Sequence, residues 1–184
     1  MSTIRLIVEV LQGLTLRPGI EDTGDMDESV ACVVDRIRDA CPEEASALAA
    51  LQRRSSDVWE EYRALLAANP DAIEPPHKAI AEGRVRVAVD TSQQQLGFSV
   101  VLPVQRGRCE LDDLFVEPES MGLGVGRLLV DDVASRAAAA GAGFIDVIAN
   151  PNAVGFYERV GFRITGQVPT RFGPGIRMSH ALSP

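Results

Sequence analysis

The chain has 184 residues, 46% of them hydrophobic, which suffices to bury one core and is short for two comfortable domains. Its net charge of −8 repels phosphate backbones and excludes nucleic acid as a main partner, while leaving room for a local basic pocket. The odd set of Cys32, Cys41 and Cys109 excludes a disulfide framework, and the isolated His77 and His180 form no metal-ligand cluster, so no metal is expected.

Residues 1–30 form a separate extension, either mobile or adding an edge strand at 4–11. Beyond that stretch Pro18, Gly19, Gly24 and a run of acids break any period. The start has no convincing signal-peptide cleavage site, and no apolar run approaches the ~20 residues of a membrane span, so a cytoplasmic protein without a membrane partner is expected. A domain over 31–184 opens with a strand at 33–39. A helix follows from Pro42 to about Arg53, with Glu43 and Glu44 at its favourable N-terminal end. Ser55, Ser56 and Asp57 offer an N-cap for a second helix carrying Val58, Trp59, Tyr62, Leu65 and Leu66, which Asn69-Pro70 ends. A short helix is expected at 78–82, then strands at 85–89, 96–104 and 109–116, the last two joined by a turn at Arg106-Gly107. The segment 125–140 has Val125, Leu128, Leu129, Val133, Ala137 and Ala140 on one helical face and stops at Gly141 and Gly143. A buried strand at 144–149, a short helix at 153–159 and strands at 162–168 and 176–182 complete the order. The class is α/β (α+β), with a mixed, mostly antiparallel central sheet flanked by helices.

Met121-Gly122-Leu123-Gly124-Val125-Gly126-Arg127 lies between a strand and the long helix. Glycines at every second position let a ligand approach the backbone, and the free N–H groups of the helix start point outward with the positive end of the dipole. That is a receptor for a phosphate or pyrophosphate. The spacing matches neither a P-loop nor a dinucleotide fingerprint. Asn150-Pro151-Asn152-Ala153-Val154-Gly155-Phe156-Tyr157-Glu158-Arg159-Val160-Gly161-Phe162 follows one strand later.

Together the two segments resemble the GNAT superfamily of N-acetyltransferases. Its glycine-rich turn, written [RQ]xxGxG, is similar to Met121–Gly126, except that Met121 stands where Arg or Gln is usual. Its motif NxxAxxFYxxxGF is similar to Asn150, Ala153, Phe156, Tyr157, Gly161 and Phe162. The resemblance covers residues 33–182. It implies the GNAT acyl-CoA N-acyltransferase fold, in which the fourth and fifth strands splay apart and acetyl-CoA lies in the gap. By that likeness Leu114, Phe115 and Val116 pair with the pantetheine arm, and an N–H near Leu114 polarises the acetyl carbonyl. Gly122, Leu123, Gly124, Val125, Gly126 and Arg127 hold the pyrophosphate, with weaker help from Met121, while Asn150 and Phe156 contact the CoA arm. Tyr157 protonates the departing thiolate, which a phenol of pKa about 10 can do. A homodimer is a further family expectation.

The amine must lose a proton before it attacks. Strand alternation puts Glu110 and Asp112 on one face with Leu114 and Val116, and Asp113 on the other. Glu110 also corresponds to a base position of the family, and either carboxylate could act directly or through water. The acceptor pocket implied by the resemblance draws on Arg53, Arg54, Ser55, Ser56, Trp59 and Tyr62, with Arg171, Phe172 and Arg177 from the end. Arg53-Arg54 suits a carboxylate or phosphate on the acceptor. The function expected is acetyl transfer from acetyl-CoA to a small-molecule primary amine. Transfer to a peptide or protein amine, and a non-catalytic acyl-CoA sensor, stand as alternatives.

Overall fold

A computed structural model describes residues 33–182. The extension expected over 1–30, with its strand at 4–11, lies outside the described residues. Strand β1 (Arg36–Asp39) is followed by helices α1 (Ala45–Ser56), α2 (Glu60–Ala68) and α3 (His77–Ala81). Strands β2 (Val85–Val89), β3 (Gln95–Val101) and β4 (Arg108–Val116) lead into α4 (Val125–Ala139). Then come β5 (Phe144–Ala149), α5 (Val154–Arg159), β6 (Arg163–Thr170) and β7 (Gly173–Ala181). The expected elements are present with shifted ends. At the α1–α2 junction the difference has a cause. Ser55 and Ser56 lie inside α1 and are fully buried, and Trp59 is the residue at the N-cap of α2. Side chains that face the sheet continue the helix where a cap needs one turned back on the backbone.

The seven strands form one sheet in the order β1-β2-β3-β4-β5-β7-β6, antiparallel except where β4 meets β5. The mixed, mostly antiparallel sheet expected from the chain is therefore observed. Val85, Val87, Val89, Phe98, Val100 and Phe115 bury one face under α1–α3, with Leu48, Leu51 and Leu66 supplying the helical side. Cys109, Leu111, Leu114, Val116, Ile145, Val147, Ala149 and Met178 bury the other face under α4 and α5. Along β5, alternate residues Ile145, Val147 and Ala149 enter the second core, as pleating requires. The α1–α3 core takes no buried residue from β5, β6 or β7, so among the described residues that half of the sheet leaves one face open.

No helix among the described residues is long and apolar enough to cross a membrane.

Candidate active site

The parallel ladder between β4 and β5 is three rungs long. It pairs Arg108 with Phe144, Cys109 with Ile145 and Glu110 with Asp146, and then stops. From Leu111 to Val116, β4 keeps β3 on one side and has no strand on the other among the described residues. From Val147 to Ala149, β5 keeps β7 and has no other strand beside it among the described residues. The two strands thus open into a fork whose facing edges carry backbone N–H and C=O groups. Leu114, Phe115 and Val116 have fully buried side chains, so what they offer the gap is main chain.

At the mouth of the fork, β4 runs through a short turn into the glycine-rich loop. Gly122 and Gly124 have φ of +77° and +82°, a region that L side chains rarely adopt. Nothing lies within 4 Å of where a Cβ on Gly122 would sit, so that side of the loop is open. Gly124 is the N-cap of α4 and no side chain caps the helix. The N–H groups of Gly122, Gly124, Val125, Gly126 and Arg127 donate to no acceptor among the described residues, the first bond of the helix being Leu128 N–H to the Gly124 carbonyl at 3.1 Å. A fifteen-residue helix with an uncapped start presents these donors and its dipole to an anion. Met121 packs against the core beneath α4, so its thioether adds no donor. Leu123 and Arg127 are exposed, and the Arg127 guanidinium lies 3.9 Å from Asp131.

Asn150 follows β5 at the same mouth. Its Oδ1 accepts from the Asn152 N–H at 2.9 Å, while its buried Nδ2 has no partner among the described residues. A buried amide with a spare donor is costly unless something completes it. Together the forked edges, the open glycine loop and this spare donor fit a long ligand with a phosphate at one end and amide groups along its arm. Tyr157 on α5 is completely buried, its ring edge-on to Phe156 at 5.1 Å and to Phe162 at 5.2 Å.

Glu110 stands at the closed end of the fork, in the last rung of the ladder. Its orientation corrects the sequence-based expectation. The β3–β4 register passes from Val100↔Asp113 to Val101↔Leu111, so β4 carries one extra residue, a bulge at Asp112. The bulge reverses the alternation. Cys109 and Leu111 join the α4-side core with Leu114 and Val116, and Glu110 therefore faces away from Leu114 and Val116. On β5 the same logic sends Ile145, Val147 and Ala149 to that core and leaves Asp146 and Ile148 on the open face with Glu110.

That open face holds a cavity of about 280 Å³, lined among others by Arg108, Glu110, Asp146, Ile148, Thr165 and Arg177. Arg108 donates to both carboxylate oxygens of Asp146 from its Nε and Nη2, and Nη2 also reaches Ser179 Oγ at 2.9 Å. Its guanidinium also lies 4.6 Å from the centre of the Phe144 ring. This pairing holds the Asp146 carboxyl below its usual pKa. Glu110 is affected in the opposite sense. Burial raises its pKa, with help from the Asp112 and Asp146 charges and against the pull of Arg177.

The remaining candidates separate. Arg54 makes a two-point ion pair with Glu117, the residue that follows β4, which ties α1 to the approach of the glycine loop. The Ser55 hydroxyl and the Trp59 indole N–H are buried without partners among the described residues, at the α1–α2 junction. Arg171 is held by Asp71 at 3.1 Å and Asn69 at 2.7 Å. Asp146, Arg108 and Thr165 were missed by sequence reasoning. The available signal was the single acid inside the apolar run Phe144–Ala149.

The sequence model of the acetyltransferase (GNAT) domain family matches residues 61–180. The peptidyl-lysine N-acetyltransferase YjaB of Escherichia coli K12 is 34% identical over 136 residues, covering 73% of this chain and 86% of that protein. The solution structure of apo YjaB from Escherichia coli superposes with a TM-score of 0.58 at 27% identity, covering 80% of this chain and 98% of the other. The PaiA N-acetyltransferase of Thermoplasma acidophilum, crystallised with coenzyme A, superposes with a TM-score of 0.66 at 19% identity, covering 79% of this chain and 98% of the other, and shares the fold.

Proposed function

We propose that this chain, which belongs to the GNAT acetyltransferase family, acetylates the primary amine of a small molecule that enters from the open face of β4 and β5. Acetyl-CoA is the acyl donor and brings an already activated thioester. The observation that carries the reading is the place of Glu110, at the closed end of the fork and on the wall of a 280 Å³ cavity. A cavity of that size sits at the small end of ligand sites, suited to one amine-bearing group.

In this reading the N–H groups of Gly122 and Gly124–Arg127 bind the pyrophosphate, and the free edge of β4 at Leu114–Val116 aligns the arm. Asn150 Nδ2 donates to the same arm. An N–H near Leu114 stabilises negative charge on the acetyl oxygen. Glu110 takes a proton from the acceptor ammonium, directly or through water, with Asp112 beside it in the bulge. The amine nitrogen forms its bond to the acetyl carbon, the C–S bond breaks, and Tyr157 gives its phenolic proton to the sulfur; the second proton that the nitrogen sheds as the amide forms passes through water to restore the phenol.

A second reading, transfer to a lysine side chain of a peptide, is supported by the name of the 34% identical relative and by the openness of the β5–β7–β6 face. The test measures thiol release from acetyl-CoA with a panel of free amines and with lysine peptides of matched charge. Turnover of free amines at the higher kcat/KM supports the first reading. Turnover of peptides alone moves the assignment to the second.

A further inference from the structure

The cavity on the open face holds two carboxylates and two guanidiniums, and they do not form two pairs. Asp146 is taken by Arg108, which also binds Ser179. Glu110 and Arg177 remain, and neither makes an ion pair within 4.0 Å among the described residues. Register puts them at opposite ends of one surface. Glu110 pairs with Asp146 across β4–β5, while Arg177 pairs with Ile148 across β5–β7. Asp146 and Ile148 share the face turned away from the α4 core, as do Arg177 and Ser179 on either side of buried Met178. Arg177 is therefore two strands across and two residues along from Glu110, nearer the mouth of the fork. With strands ~4.8 Å apart and a rise of ~3.3 Å per residue, their Cα atoms are on the order of 12 Å apart. Thr165 lines the same cavity and donates its hydroxyl to the Arg177 carbonyl at 3.3 Å, fixing the backbone beneath that side chain.

A carboxylate and a guanidinium left apart in one cavity are the complement of a zwitterion. Of the two arginines that line the cavity, Arg108 is taken by Asp146, which leaves Arg177 as the cation of this wall without an ion pair among the described residues. Resting on the small-amine reading of the site, we infer that Arg177 anchors an anionic group of the acceptor while Glu110 receives its ammonium, so that the acceptor is an amine carrying a carboxylate. Arginine is the suited residue, since its fork donates two parallel hydrogen bonds to a planar carboxylate. Closing both pairs at once aims the amine at the closed end of the fork. An amine without the anion satisfies Glu110 alone and orients less well.

The experiment compares matched acceptors in the thiol-release assay: free amino acids, their methyl esters, and aminoalkyl phosphates. Wild-type protein is expected to favour the acid over its ester at least tenfold in kcat/KM. In Arg177→Gln that ratio collapses toward one through a raised KM for the acid, and Arg177→Lys restores part of it. A higher kcat/KM for the aminoalkyl phosphate than for the acid retains the anion anchor and assigns it to phosphate. Equal use of acid and ester by the wild type, or an Arg177→Gln loss that is the same on both, overturns the inference. Glu110→Gln keeps the two readings distinguishable, because it lowers kcat on acid and ester alike if the site itself is correctly assigned. A readout free of turnover accompanies the kinetics. With CoA present, the amino acid raises Tm of the wild type and loses that effect in Arg177→Gln. No rise in the wild type counts against the anchor.

Discussion

Glu110 is subject to competing influences: burial and two neighbouring acids favour its protonated form, while Arg177 favours the charged one. A base must be deprotonated to act, so the raised pKa moves its titration toward neutral pH. The expected kcat/KM profile has an acidic limb at a pH above the ~4.3 of a free glutamate. Glu110→Gln removes that limb and lowers kcat by about 10²–10⁴-fold, the usual weight of a general base. A limb that persists in the variant assigns it to another group. Gly124 allows a second residue-scale prediction. Its φ of +82° penalises any Cβ, so Gly124→Ala costs about 1 kcal/mol or more at the α4 start. Acetyl-CoA affinity by calorimetry is expected to fall at least fivefold, and an unchanged Kd removes the loop from the binding site. At this scale the sequence was informative where chemistry is local. The left-handed turn at Gly122 and Gly124 and the uncapped start of α4 were legible because both follow from local residue types. The facing of Glu110 was not legible, because a single inserted residue at Asp112 reverses alternation and leaves no mark in the residue types.

Between elements, the contacts that set geometry are ion pairs linking distant parts of the chain. Arg54 and Glu117 bridge α1 to the end of β4. Glu44 does the same at the other edge. Its carboxylate binds Arg38 of β1 at 2.7 and 2.8 Å, Gln95 of β3 at 2.7 Å and the Cys41 N–H at 2.6 Å. These bonds, the Arg38 one first, lower its pKa to about 2 from an ordinary 4.5. A depressed carboxylate pKa stabilises the fold above the unfolded value and loses that contribution as pH falls through the folded one. The node is therefore intact above pH 4.5 and is lost progressively toward pH 2. At 1.36 kcal/mol per pH unit its contribution is on the order of 3 kcal/mol as an upper bound. Glu44→Gln is expected to lower Tm by several degrees at pH 7 and to flatten the acid side of the stability curve, measured by thermal melts from pH 7 to pH 3. An unchanged melt at pH 7 identifies the node as a solvated pair. The acids at the start of this helix were visible in the sequence, but their partners lie on β1 and β3, which only the sheet order brings together.

For the molecule as a whole, a mixed sheet flanked by helices was readable from periodicity, through a strong α4 face and alternating strands, whereas the division of the interior into two cores, one on each face of the sheet, was not. What could not be read is which half of the sheet lacks a helix on one face, because that depends on the β7–β6 order at the edge. Gly97 shows how tightly the covered half is built. A Cβ there would sit 2.7 Å from the Phe115 carbonyl oxygen and 3.3 Å from Leu129 Cδ1. Gly97→Ala is expected to cost about 1–3 kcal/mol, as overpacking does, while CoA affinity of the folded protein holds. A melt equal to wild type means that β3 and β4 separate more easily than their packing suggests.

Among the described residues the short β4–β5 ladder, three rungs long, is the strand pairing that joins β1–β4 to β5–β7, backed by the Arg108 contacts at its closed end and by the core under α4. In the binding mode proposed above, acetyl-CoA serves as a removable strand, bridging edges that the described polypeptide leaves apart. Deuterium uptake reads this directly: amides of Leu111–Val116 that face the gap exchange quickly in the free protein and slow when the donor binds, while those pointing toward β3 change little. The enzyme would be stiffest across its middle only while charged with acetyl groups to give away.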